Sequence, residues 1–128
     1  MELNEYQKRA MSTCMPSCDN FAYMSYGLIG EVGELMGKIA KHIRKENVSI
    51  NKNELVLTEN YLGAPVLTED EANAIIAEVG DCLWFIAGIA KALGWPLEEV
   101  ASGNLDKLAA RKEAGTIDGN GDGIIREK

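Results

Sequence analysis

Two stretches of this sequence share one arrangement, and together they restrict the fold to packed helices. In each, apolar residues recur at three- and four-residue steps: Leu28, Val32, Leu35, Ile39 and Ile43 in one, Ile75, Val79, Ile86, Ala90 and Leu93 in the other. That period is the mark of an amphipathic helix. Beside each stripe stands a pair of acids three apart, Glu31/Glu34 and Glu78/Asp81. At ~100° per residue the members of a pair lie within about 60° of each other, so both carboxylates point one way. If the two helices pack through their apolar stripes, four carboxylates converge at the edge of the seam.

The punctuation around these stretches sets the remaining elements. A first helix runs from Leu3 to Met15 and stops at Pro16, and Asp19 or Asn20 caps a second helix over Phe21–Lys45. Asn47–Leu67 breaks the pattern with Asn, Gly and Pro; its short apolar pieces, Leu55–Leu57 and Val66–Leu67, predict a small hairpin or ordered loop. Thr68-Glu-Asp-Glu71 reads as a capping box for a third helix, which continues to about Leu93 and ends at Gly94. Pro96 suits the first turn of a fourth helix that reaches about Glu113. The fold class is all-α, an antiparallel helical bundle. It is one domain over residues 1–114, with an insertion at about 47–67 and a Gly- and Asp-rich tail over 115–128. Gly30, Gly33 and Gly37 lie on one side of the second helix, where each costs roughly 1 kcal/mol relative to Ala. Their clustering predicts close approach of another helix or a ligand.

Length and charge bound the function. With 128 residues and 46% apolar content, a single small helical layer buries its core incompletely, which predicts self-association. A net charge of −7 argues against a nucleic-acid partner. Cys14, Cys18 and Cys82 are too few and too poorly spaced for a disulfide framework or a zinc site, so they read as reduced thiols. No signal-peptide core opens the chain, and the apolar run from Cys82 to Ala90 is far short of the ~20 residues that span a bilayer. The expectation is a soluble cytoplasmic protein with no membrane partner.

Four clustered carboxylates repel one another and raise one another's pKa unless cations offset them. Hard oxygen donors without His or Cys point to Mg²⁺ or Mn²⁺ rather than zinc or copper. A di-iron site needs Glu-x-x-His on two helices, but the sole histidine is His42, three after Ile39. A second set of polar groups, Asn104, Lys107 and Arg111, shares one face of the fourth helix, and Lys38 and Lys41 prolong the acid stripe of the second. A polyphosphate gripped between cation and lysines would be held from both sides. Trp84 and Phe85 lie on or beside the acid-bearing side of the third helix, placed to stack on a base or, for Trp84, to anchor an interface. In the tail, Asp118, Asn120 and Asp122 match only the first half of a calcium loop, and a flap over the site is the better functional reading.

Taken together, "GLIGEVGELMGKIAKHIRK" and "IIAEVGDCLWFIAGIAKALGWPLEEVASGNLDKLAARKEAGTIDGNGD" resemble the MazG-like nucleoside triphosphate pyrophosphohydrolases. "LNEYQKRAMST" is similar to the first helix of small phage and bacterial members. The resemblance implies an all-α bundle that dimerises, sometimes as a pair of dimers. It also implies Mg²⁺-dependent hydrolysis of an NTP or dNTP to the monophosphate and pyrophosphate. On the matching positions, Glu31, Glu34, Glu78 and Asp81 would be metal ligands, with Glu31 as the base. Lys38, Asn104, Lys107 and Arg111 would hold phosphates. Two departures stand out: an unusually long Glu34-to-Glu78 interval, and a tail in which Arg126 comes four after Asp122 rather than two. Two other readings are a phosphoribosyl-ATP pyrophosphohydrolase, which shares the fold, and a catalytically silent helical module that binds a partner.

Overall fold

The computed structural model describes residues 1–118. Its elements are α1 (Leu3–Met11), a 3-10 turn (Pro16–Cys18), α2 (Phe21–Arg44), β1 (Val48–Asn51), β2 (Glu54–Leu57), α3 (Glu69–Ala92) and α4 (Leu97–Ala114). The described residues are mostly helical, with one two-stranded antiparallel hairpin among them. The partial calcium loop at Asn120 and Asp122, the flap reading and Arg126 lie outside the described residues.

Local chemistry sets the helix ends. α1 stops a full turn before the Met15 end that Pro16 predicts. Thr13 Oγ1 donates to Ala10 O at 2.6 Å and Ser12 Oγ to Arg9 O, and such hydroxyls compete with backbone amides for helix carbonyls. Asn20 caps α2 by accepting from Tyr23 N at 2.8 Å, and Thr68 and Glu71 close the predicted capping box on α3. Gly94, at φ 80°, ends α3 in the left-handed region that favours glycine. Pro96 sits at the N-cap of α4 rather than inside its first turn and supplies no capping side chain. α1 supplies the caps instead: Asn4 Oδ1 accepts from Glu98 N at 2.9 Å and Gln7 Oε1 from Leu97 N at 3.0 Å. The Gln7 amide also donates to Ala87 O and Trp95 O, so one side chain joins α1, α3 and the loop before α4.

Within the insertion, Leu55–Leu57 does form a strand, but its partner is Val48–Ile50 rather than Val66–Leu67. Lys52, at φ 57°, turns the hairpin, and Val66 N donates to Thr58 O at 2.8 Å to lay the following segment beside it. His42, buried at the end of α2, is held by the Asn47 amide at 3.0 Å, which anchors the hairpin's base.

α2 and α3 run antiparallel. Met24 packs on Gly88, Gly27 on Phe85, and Lys38 reaches Glu78, so positions rise along one helix as they fall along the other. The core gathers Ala10, Met11, Met24, Phe85, Ala87, Ala90 and Leu97. The predicted apolar seam holds only in part: Ala90 is buried and Leu28, Leu35, Ile39 and Ile75 are half-buried, whereas Val32, Ile43, Val79, Ile86 and Leu93 are exposed. The seam is formed by the acid-bearing faces themselves, because a Cβ at Gly27 would overlap the Phe85 ring and one at Gly88 would overlap Met24, so only glycine admits these side chains. Gly30, Gly33 and Gly37, predicted to mark close approach of another helix or a ligand, have nothing from the described residues of this chain within 4 Å of where a Cβ would stand.

α3 is long and apolar enough to cross a membrane by length and composition, with mean hydropathy 1.5 over its most apolar window. It carries buried Glu78 and packs on α1 and α2, with 22% of that window buried within this chain.

Candidate active site

Bringing the acid stripes into the seam places three carboxylates together. One oxygen each from Glu31, Glu78 and Asp81 lies within 4.8 Å of the others. Glu78 is 7% exposed, Glu31 half-buried and Asp81 exposed, so the cluster grades from the core to the surface. Glu34, the fourth predicted member, is exposed at the rim, one turn along α2 from Lys38. Its charge still acts on Glu31.

The electrostatics follow from that grading. Burial, the adjoining Glu78 carboxylate that a proton on Glu31 would bridge, and the charges of Glu34 and Asp81 push the Glu31 carboxyl up to about 7. Glu78 moves the other way: Lys38 Nζ stands 2.9 Å from its Oε1 and holds its carboxyl below the ordinary value. Glu31 Oε2 and Glu78 Oε2 are buried with no hydrogen-bond partner. Buried carboxylate oxygens without partners are costly, and a hard divalent cation seated among them removes the cost. The donor set is all oxygen, so these residues fit such an ion.

The surroundings add groups that the sequence reading missed. Tyr6 of α1 feels the Asp81 charge, and burial together with that charge raises its phenol pKa. The Tyr23 phenol is raised chiefly by a hydrogen bond to Cys18, with Glu31 contributing. Burial and then Glu31, Asp81 and Glu78 raise the half-buried Cys82 thiol. Tyr23 shares the acid-bearing side of α2 and was legible by spacing; Tyr6 was not, because only tertiary packing brings α1 to Asp81.

Other predicted residues stand elsewhere. Phe85 is core, with the Tyr23 ring at 5.8 Å and Trp84 edge-on at 4.9 Å. Trp84 Nε1 donates to Ala10 O and Thr13 Oγ1, which ties α3 to α1. Phe85 is therefore not free to stack on a base, and Trp84 is half-buried with its indole nitrogen engaged. Lys38, expected to meet phosphate, meets Glu78. On α4, Asn104 and Lys107 are exposed and Arg111 half-buried, and no ion pair among the described residues joins Lys107 to the acids. α4 is seated through its first turn, at Leu97, and Asn104 and Lys107 of its phosphate-type face are exposed among the described residues.

Residues 20–116 match the family model of the MazG nucleotide pyrophosphohydrolase domain. The chain belongs to the MazG family. The matched span contains both acid pairs and the Asn104/Lys107/Arg111 face of this MazG chain. It is also 30% identical to the Gene 37 protein of Mycobacterium phage L5, across 95% of this chain and 98% of that one. No solved structure matches it.

Proposed function

We propose that this MazG domain is a Mg²⁺-dependent, cytoplasmic nucleoside triphosphate pyrophosphohydrolase that converts an NTP or dNTP to the monophosphate and pyrophosphate. The observation that carries the reading is the convergence of Glu31, Glu78 and Asp81 with two buried, partnerless carboxylate oxygens. Glu31, Glu78 and Asp81, with Glu34 at the rim, would hold the cation. When bound, Mg²⁺ or Mn²⁺ supplies charge for the phosphate oxygens and acidity for a coordinated water. In the reaction the water oxygen bonds to the α-phosphorus, and the bridging oxygen leaves with pyrophosphate. Glu31, ionised once the cation is bound, takes the water's proton. Asn104, Lys107 and Arg111 hold the phosphates.

Because Asn104 and Lys107 stand exposed among the described residues, we assign the α4 face to the site of a partner copy. The homodimer is supported by a continuous uncovered apolar face: Ile29, Val32 and Met36 of α2 and Val79, Leu83 and Ile86 of α3 are all between 39% and 73% exposed. Apolar patches of this kind mark interfaces. A panel of NTPs and dNTPs assayed for pyrophosphate tests the chemistry. Release of single orthophosphates would contradict it.

A further inference from the structure

The Lys38–Glu78 ion pair has no part in the chemistry above. Lys38 lies two turns past Glu31 on α2, with its side chain 39% exposed against 9% for that of Glu78. A carboxylate so deeply buried requires a counter-charge, and in this structure the ammonium supplies it to Oε1 while Oε2 stays without a partner. The ammonium thus fills the electrostatic role that a divalent ion would take. The two partners differ in freedom: Glu78 is fixed in the seam, whereas Lys38 is a point charge on a flexible stem that opens to solvent.

We propose that Lys38 is an exchangeable counter-cation, which holds Glu78 while the acid cluster lacks a divalent ion and swings off it when the ion arrives. The inference rests on the metal-site reading above. A doubly charged ion among Glu31, Glu78 and Asp81 both satisfies Glu78 and repels the ammonium beside it. Lys38, with its side chain 39% exposed, has an outward path. Its release puts a positive charge at the lip of the site, on the side of α2 that also bears Glu34 and Lys41. Metal loading therefore frees a lysine able to meet a phosphate oxygen, and polyphosphate binds after the metal rather than before it.

The test uses the whole chain and Mn²⁺ alone at pH 8.5. Acetic anhydride labels lysines at rates that mass spectrometry reads site by site, with exposed Lys41 as the internal reference. Mn²⁺ is expected to raise Lys38 labelling several-fold relative to Lys41. In parallel, Lys38→Met is expected to bind Mn²⁺ more tightly by roughly fivefold, since a competing charge is gone, and Lys38→Arg to return toward wild type. Mn²⁺ binding that leaves Lys38 labelling unchanged, or weaker Mn²⁺ binding by Lys38→Met, overturns the exchange. Wild-type protein that binds no Mn²⁺, or binds it as well after Glu78→Gln, overturns the metal-site reading instead.

Discussion

Cation binding at the Glu31–Glu78–Asp81 cluster is expected to expel a proton, with a pH dependence fixed by Glu31. Its carboxyl lies at about 7 in the metal-free fold against an ordinary 4.5. A cation ligand must be ionised. The proton released per ion is therefore the fraction protonated beforehand: about 0.9 at pH 6, about 0.5 at pH 7 and about 0.1 at pH 8. Calorimetric Mg²⁺ titrations in buffers of different ionisation enthalpy read this number directly. The same shift sets the stability of the metal-free chain. Because the folded pKa is raised, the stabilising contribution is fully present below about 4.5 and is lost as pH rises through about 7. Metal-free protein should thus melt lower at pH 8 than at pH 6, and Mg²⁺ should narrow the gap. Buffer-independent heats at pH 6 would refute the assignment of a shared proton to Glu31.

Other perturbations separate the packing from the chemistry. Gly88→Ala should destabilise by roughly 1–3 kcal/mol through overlap with Met24, whereas Gly30→Ala, facing open space, should stabilise by up to about 1 kcal/mol; urea midpoints that move alike would remove the distinction. Gln7→Ala strips the α4 cap and two carbonyl partners, and a loss of roughly 2 kcal/mol with faster amide exchange at Leu97 and Glu98 is expected. Leu83→Asp places a charge in the uncovered apolar face and should shift sedimentation toward monomer while far-ultraviolet dichroism stays helical. A dimer that survives this change would move the interface elsewhere.

The four helices, their caps at Asn20 and Thr68 and the approach of the two acid motifs were legible because each follows from local spacing or local hydrogen bonding. The seam was not. Helical periodicity identifies apolar residues but cannot say whether they face the same chain or a second one, and Val32, Val79 and Ile86 proved to be of the open kind. Gly27 and Gly88 escaped notice because a glycine's packing role depends on which side chain faces it, here Phe85 and Met24. Lys38 looked like a phosphate ligand from its place on the acid stripe; its pairing with Glu78 required the register of α2 against α3. Asn104 and Lys107 share a face as the spacing implied, yet spacing gives no information on which copy's acids they meet.

The central claim is that the clustered carboxylates direct hydrolysis between the α- and β-phosphates. Its most direct test is the product ratio from a dNTP incubated with Mg²⁺ and wild-type or Glu78→Gln protein. One pyrophosphate for each monophosphate, with no orthophosphate, and loss of turnover by a factor of roughly a hundred or more in Glu78→Gln are predicted. Orthophosphate with a nucleoside diphosphate, or undiminished turnover by Glu78→Gln, would contradict the account.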